Sequence, residues 1–288
     1  MIKTILVPAT GSDADAACFV TALSVARSFA AHIDALHVRL DPIEIAVSMS
    51  TEGSGGALLE GIIADLTRDA DELENKARSA FAAFCAREAL MLGATPAGAE
   101  ARPSAEWHVE TGQEARWMTA YGMTADLIVS GRGVPGDDAV ARSTLEAMLL
   151  ETGRPLLVPG PSAFPPAPIK RVVVAWKPTP QAARAVSFAM PFLSSAAEVT
   201  VMTVEEEADR RDDADRVVNY FAWHGVKAVA ARLPPGPHGA AETLLAAAAK
   251  ADLLVMGGYG HTRLREWVFG GFTQRVLADA PLSVLMAH

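Results

Sequence analysis

Cysteine is scarce: Cys18 and Cys85 are the only two in the chain, and neither stands in a CxxC or Cys/His spacing. Disulfide frameworks and cysteine-based zinc motifs are thereby excluded. Both fall in apolar helical patterns and read as buried structural thiols. Long hydrophobic runs are also missing, since no stretch reaches the roughly 18 apolar residues that a membrane-crossing helix needs. Met1-Ile2-Lys3 leads straight into a strand-like run rather than a leader pattern. These absences predict a soluble, cytoplasmic protein without membrane contact. Positive charge is in deficit as well: 25 Lys and Arg stand against 34 Asp and Glu, net −9. Non-specific nucleic-acid binding, which needs many cations to displace counterions, is disfavoured.

The 288 residues, 50% hydrophobic and 20% charged, are enough to bury two cores. Charge is unevenly spread. Residues 1–160 hold 12 basic and 22 acidic side chains, net −10, whereas 161–288 hold 13 and 12, net +1. An anionic ligand would prefer the second half.

The proline-rich stretch 160–168 cannot continue a helix or central strand and reads as a linker. On either side of it the order of elements repeats. Ile5-Leu6-Val7-Pro8 and Val172-Val173-Val174-Ala175 each precede an Ala-rich helical pattern. Ala125-Asp126-Leu127-Ile128-Val129 matches Ala251-Asp252-Leu253-Leu254-Val255, and Pro155-Leu156-Leu157-Val158 matches Pro281-Leu282-Ser283-Val284. The last two pairs are offset by 126 residues and the first by 167, so the first half carries 41 extra residues within Asp41–Pro103. Strands alternating with longer helical stretches predict right-handed crossovers and parallel sheets covered on both faces. The expectation is an α/β chain of two tandem five-stranded, parallel-sheet, doubly wound domains, 1–160 and 169–288. Strands are expected near 3–8, 33–39, 106–110, 126–130 and 155–159, then near 170–176, 198–204, 227–232, 252–257 and 281–287. In the surplus, 48–56 reads as a mobile loop, while Leu59, Ile62, Leu66, Leu73, Ala77, Phe81 and Phe84 keep the spacing of one long amphipathic helix on its own sheet.

After the fourth strand of the second half comes Gly257-Gly258-Tyr259-Gly260-His261-Thr262-Arg263, and then Gly270-Gly271-Phe272-Thr273. A glycine-rich loop between the carboxyl end of a strand and a helix lets backbone amides approach an anion, and the helix amino terminus adds favourable potential. His261, Arg263 and Arg265 either contact phosphates or pair with Glu266 and other acids to close the loop. The other histidines, His32, His37, His108, His224, His238 and His288, lack metal-ligand spacing and read as structural or exposed. No metal site is expected. Under the 126-residue offset Gly257 corresponds to Gly131, but Gly260 becomes Val134, Gly270 becomes Thr144 and Arg263 becomes Asp137. The first half therefore reads as degenerate for phosphate, with Gly131, Gly133, Ser143 or Thr144 left for some other ligand. The acidic stretch from Glu205 to Asp215 reads as solvated surface.

The spacing of Gly257, Gly260 and Gly270 resembles the signature of the universal stress protein family, as do the strand openings and the duplicated order. The resemblance implies a Rossmann-like, adenine nucleotide alpha hydrolase-like fold and ATP as ligand, with Mg²⁺. It also implies pairing as a homodimer, or as an intrachain pseudo-dimer through the last strands of the two halves. Carried onto this chain, the ligand contacts would be Ala175, Lys177, Thr179, Gly257, Gly260, His261, Arg263, Gly270, Gly271, Phe272 and Thr273. Two departures stand out. Gly271 takes the place of the expected hydroxyl residue, with Thr273 two positions on. The aspartate that meets adenine after the first strand is absent from both halves, replaced by Thr10 and Lys177, which removes an acceptor for the adenine amino group. Trp176 either stacks on a base or simply packs. The functional expectation is a nucleotide-binding regulatory protein of the stress response, with ATP or a related phosphorylated ligand in the second domain. The alternative is an interaction module of the same fold that works through dimer or partner surfaces. No Ser/His/Asp arrangement or Walker-type lysine supports turnover, so an enzyme ranks below both.

Overall fold

The computed structural model describes residues 1–49, 56–93, 102–132, 139–161, 164, 169–204, 213–258 and 271–288. The first half runs β1 (Thr4–Pro8), α1 (Ala14–Phe29), β2 (His32–Arg39), α2 (Pro42–Met49), α3 (Gly56–Glu88), β3 (Met91–Leu92), β4 (Ser104–Thr111), α4 (Glu114–Gly122), β5 (Leu127–Val129), α5 (Ala139–Glu151) and β6 (Leu156–Val158). The second half runs β7 (Arg171–Ala175), α6 (Pro180–Leu193), β8 (Glu198–Val204), α7 (Asp213–Trp223), β9 (Ala228–Leu233), α8 (Ala240–Ala248), β10 (Leu253–Gly257), α9 (Gly271–Asp279) and β11 (Ser283–Ala287).

Short β-branched runs form the central strands because they are buried on both faces: Ile5, Leu127 and Val174 on one side and Leu6, Ile128 and Val173 on the other are all at most 5% exposed. Helices cover both sides. One apolar cluster packs α1, α3, α6 and α7 on one face, and another packs α4, α5, α8 and α9 on the other. Within each half the order is that of a doubly wound sheet: β4-β2-β1-β5-β6 in the first and β9-β8-β7-β10-β11 in the second. The repeated Ala-Asp pair has a structural reason. Asp126 accepts the backbone N–H groups of Lys3 and Thr4, and Asp252 accepts those of Lys170 and Arg171, so each aspartate pins the start of a first strand.

The two halves do not form separate sheets. β6 and β11 pair antiparallel and join everything into one eleven-stranded sheet. Val158 lies opposite Val284 in that pairing, and these two residues are each other's counterparts under the 126-residue offset. A pseudo-twofold axis therefore passes through this pair, the geometry of an isologous interface built inside one chain. Pairing removes two apolar strand edges from water. Phe29 meets Phe192 edge-to-face at 5.6 Å, and Phe164 of the linker is buried, so the junction is apolar beyond the strands.

The first half also holds a sixth strand, β3, which pairs with β4 at the sheet edge and which five-strand reasoning overlooked: two residues leave no alternation to read. In the surplus, residues 42–49 are helical, and the remainder of the expected mobile loop, 50–55, lies outside the described residues. The long helix is present, 33 residues or about 50 Å. Only its carboxyl half packs on the sheet as expected, through Ala77, Phe81, Phe84 and Cys85. Leu59, Ile62 and Leu66 are half-buried, and Leu73 is 42% exposed. A helix this long outruns the sheet beneath it, and its amino-terminal turns extend past the carboxyl edge of the strands.

Candidate ligand-binding site

In an open parallel sheet, ligands bind at the carboxyl edge where the strand order reverses. The reversal lies between β1 and β5 in the first half and between β7 and β10 in the second. Both crevices are built from equivalent residues, yet they differ in what fills them.

In the second half, β7 ends at Ala175 and the chain passes through exposed Lys177 to Thr179. Thr179 caps α6: its Oγ1 accepts the Ala182 N–H at 3.2 Å, and Pro180 opens the helix. β10 ends alongside at Gly257. A Cβ there would lie 2.6 Å from Ala182 N and 2.8 Å from the Gln181 carbonyl carbon, so only glycine lets the strand end meet the first turn of α6. Ala175, Lys177, Thr179 and Gly257 are thus brought together at the switch point. Gly271, Phe272 and Thr273 form the opening turn of α9, with Phe272 37% exposed and Thr273 buried. Among the described residues, nothing lies within 4 Å of a Cβ built at Gly271. Gly260, His261, Arg263 and Gly270 lie outside the described residues, as do Gly133, Val134 and Asp137. Trp176 packs against the core with its Nε1 buried and, among the described residues, without a hydrogen-bond partner. Between the starts of α8 and α9 lies an open surface groove of about 560 Å³ lined by His238, Glu242, Phe272 and Arg275, among others. Glu242 and Arg275 carry no signal in the sequence, and His238 reads there only as structural or exposed, because only the packing of α8 on α9 brings the three to this edge.

The first-half crevice is closed by its own chain. Asp15, buried in the first turn of α1, accepts the Gly11 N–H at 2.7 Å, the Thr10 N–H at 3.2 Å and the Thr10 hydroxyl at 2.8 Å. An internal carboxylate therefore occupies the helix amino terminus where an anion would go. Above it sits the overhanging part of α3: a Cβ at Gly11 would lie 2.8 Å from Leu73 Cδ1. Arg39, at the end of β2, holds that overhang through Asp71 at 2.6 Å and Glu74 at 3.2 Å. Gln113 reaches Glu44 of α2 at 3.1 Å, and α2 packs on α3. Thr144 is buried and donates to Glu114 at 3.3 Å, a structural engagement rather than a ligand contact.

After β5, where the second half has Gly258, the first half has Arg132. Its guanidinium donates to the carbonyls of Pro159 (3.0 Å), Leu277 (3.3 Å), Ala280 (2.6 Å) and Leu282 (3.2 Å). Three of these belong to the end of α9 and the turn after it, so Arg132 caps a helix of the other half. Burial lowers its pKa, with nearby Asp279 acting in the opposite sense. Gly258 instead gives room to Leu149 of α5, whose Cδ2 would lie 2.9 Å from a Cβ. Burial pushes the Cys18 thiol up to about 12, helped by the charge of Asp15, and pushes Cys85 up to about 11. Both are free, buried thiols.

Linear spacing suggested no cluster, but the parallel pairing of β2 with β4 places His32, Asp34 and Glu106 together on one face, with His108 beside them.

A model of the universal stress protein family matches residues 205–288. No curated protein sequence matches the chain. Among solved structures, a universal stress protein from Archaeoglobus fulgidus DSM 4304 is 16% identical, with 99% of this chain and 95% of that one covered at a TM-score of 0.67. A functionally unknown protein from Pseudomonas aeruginosa PAO1 is also 16% identical, covering 99% and 92% at a TM-score of 0.53. At these identities the likeness concerns the fold. Among the described residues, no helix is long and apolar enough to cross a membrane. Residues 205–288 thus match the universal stress protein family, within a tandem α/β fold that a solved universal stress protein shares along its length.

Proposed function

We propose that this protein is a nucleotide-binding regulatory protein of the stress response, in which the crevice between β7 and β10 takes ATP or a related phosphorylated ligand and the first half serves as a structural partner. The observation that carries this reading is a pair of exchanges between equivalent positions. Under the 167-residue offset, the first half's Thr10 and buried Asp15 become Lys177 and Ala182. The crevice that supplies its own carboxylate has no need of an anion; the other removes that carboxylate and brings in a cation at the same edge. The close fit of Gly257 on α6 and the Gly257-Gly260-Gly270 spacing support a phosphate cradle.

The phosphate side of ATP fits these residues better than the adenine side. An ammonium at Lys177 cannot accept the adenine amino hydrogens as a carboxylate would, so the ligand is held mainly through its phosphates. Mg²⁺, if it accompanies the nucleotide, would neutralise phosphate charge. Calorimetry of the full chain with Mg-ATP, beside a Gly260→Val variant, tests the proposal. Saturable binding that the variant loses is the expected result. A folded wild-type protein that binds neither ATP nor other organic phosphates would sink it and turn attention to partner surfaces.

A further inference from the structure

The first half carries two short alternating signals, His32-Ile33-Asp34 on β2 and Glu106-Trp107-His108 on β4. In a strand, residues two apart share a face, and the register sets Asp34 beside Glu106 and His32 beside Ser104. All four polar side chains consequently meet on one face of the sheet. His32 Nε2 lies 3.4 Å from Asp34 Oδ1 and 3.9 Å from Glu106 Oε2, and the three ligand atoms all lie within 4.8 Å of one another. Zinc bonds of about 2.0–2.2 Å to imidazole and carboxylate put tetrahedral ligand atoms about 3.3–3.5 Å apart, so little movement would bring these three onto one ion.

The surroundings orient the ligands. Ser104 Oγ lies 2.7 Å from His32 Nδ1, and His32 Nε2 is buried without a hydrogen-bond partner among the described residues, facing the two carboxylates. A hydrogen bond at Nδ1 that leaves Nε2 for the metal is the usual outer-shell arrangement of a histidine ligand. His108 Nε2 lies 2.9 Å from the same Asp34 oxygen and steadies it. One neutral imidazole and two carboxylates would balance the charge of a divalent ion. Glu106 is 40% exposed, which leaves an entry path.

The second half provides an internal comparison. By strand register, the positions equivalent to His32, Asp34, Glu106 and His108 are Glu198, Thr200, Val229 and Ala231. The fold does not require the cluster.

We propose that His32 Nε2, Asp34 and Glu106 form a site for a divalent transition-metal ion, zinc in the first instance, that ties β2 to β4, with Ser104 and His108 as positioning residues. Nothing in it depends on the nucleotide reading. The test is competition of the full-length protein with a chromophoric zinc chelator, followed by the visible spectrum after Co²⁺ substitution. Expected are one Zn²⁺ per chain, intense tetrahedral Co²⁺ bands, and a loss of affinity of at least about 100-fold in His32→Gln and in Glu106→Gln, with Ser104→Ala weakening binding about tenfold. Glu106→Gln alters a half-exposed side chain and keeps the fold, which circular dichroism checks. An absence of saturable zinc binding would reduce the cluster to a hydrogen-bonded ion pair and overturn the proposal. Binding that the His32→Gln/Glu106→Gln double variant leaves unchanged would overturn it equally, because the metal would sit elsewhere.

Discussion

Replacing Arg132 by alanine removes a guanidinium that reaches from the first half to the end of α9. Four carbonyl oxygens lose a charged donor, two of them at 2.6 and 3.0 Å. A hydrogen bond to a charged group contributes about 1.5–3 kcal/mol net. The two shorter bonds at the lower limit give about 3 kcal/mol, and the two longer ones add little because Arg132 is only half-buried and water can reach their acceptors. Thermal unfolding followed by circular dichroism should then move down by about 6–12 °C, taking about 2–4 °C per kcal/mol for large domains. Arg132→Lys separates charge from geometry. One ammonium cannot reach four diverging acceptors, so it should recover less than half of the loss. A fall of under about 2 °C in Arg132→Ala, or full recovery by lysine, would refute the view that this multi-point cap holds the halves together.

Other consequences follow from the same contacts. Gly257→Ala forces Cβ into the backbone of α6 and should cost about 1–3 kcal/mol in urea denaturation; an unchanged midpoint would contradict the close packing there. Among the described residues nothing crowds a side chain at Gly271, so Gly271→Ser should keep stability within about 0.5 kcal/mol, while the added hydroxyl tightens Mg-ATP binding by about tenfold in calorimetry. Arg39→Ala releases the overhang of α3 from β2, and amide exchange across residues 59–75 should quicken about fivefold, equivalent to about 1 kcal/mol for a half-exposed ion-pair network. Cys18 and Cys85 should resist thiol reagents in the native state and react on unfolding, since burial holds both thiols well above their ordinary 9.0. Because the unfolded thiols ionise first, the folded state loses stability as pH rises above about 9.

Much of the architecture could be read from the residues, because its causes are local. Central strands buried on both faces need continuous apolar runs, and the paired Asp126 and Asp252 recur because each first strand needs its opening amides satisfied. The glycine pattern around Gly257 reported a backbone approach that no side chain allows. The inserted helix was visible in its apolar spacing, but that spacing reported amphipathicity and not reach. Leu73 fits the helical stripe, yet it lies beyond the sheet and rests on Gly11.

The amino-acid sequence by itself determined the two αβ repeats, the order of their elements and the contrast between an acidic first half and a nearly neutral second one, all of which depend on neighbours along the chain. Only the tertiary structure decided which crevice is filled, what joins the halves and where the histidines gather. Asp15 meets Gly11 through a helix turn, but Arg132 meets Ala280 across 148 residues and His108 meets Asp34 across 74. Contacts at such separations follow from strand register and from the pairing of β6 with β11, and a register is fixed by the packing of whole faces rather than by any residue's immediate neighbours.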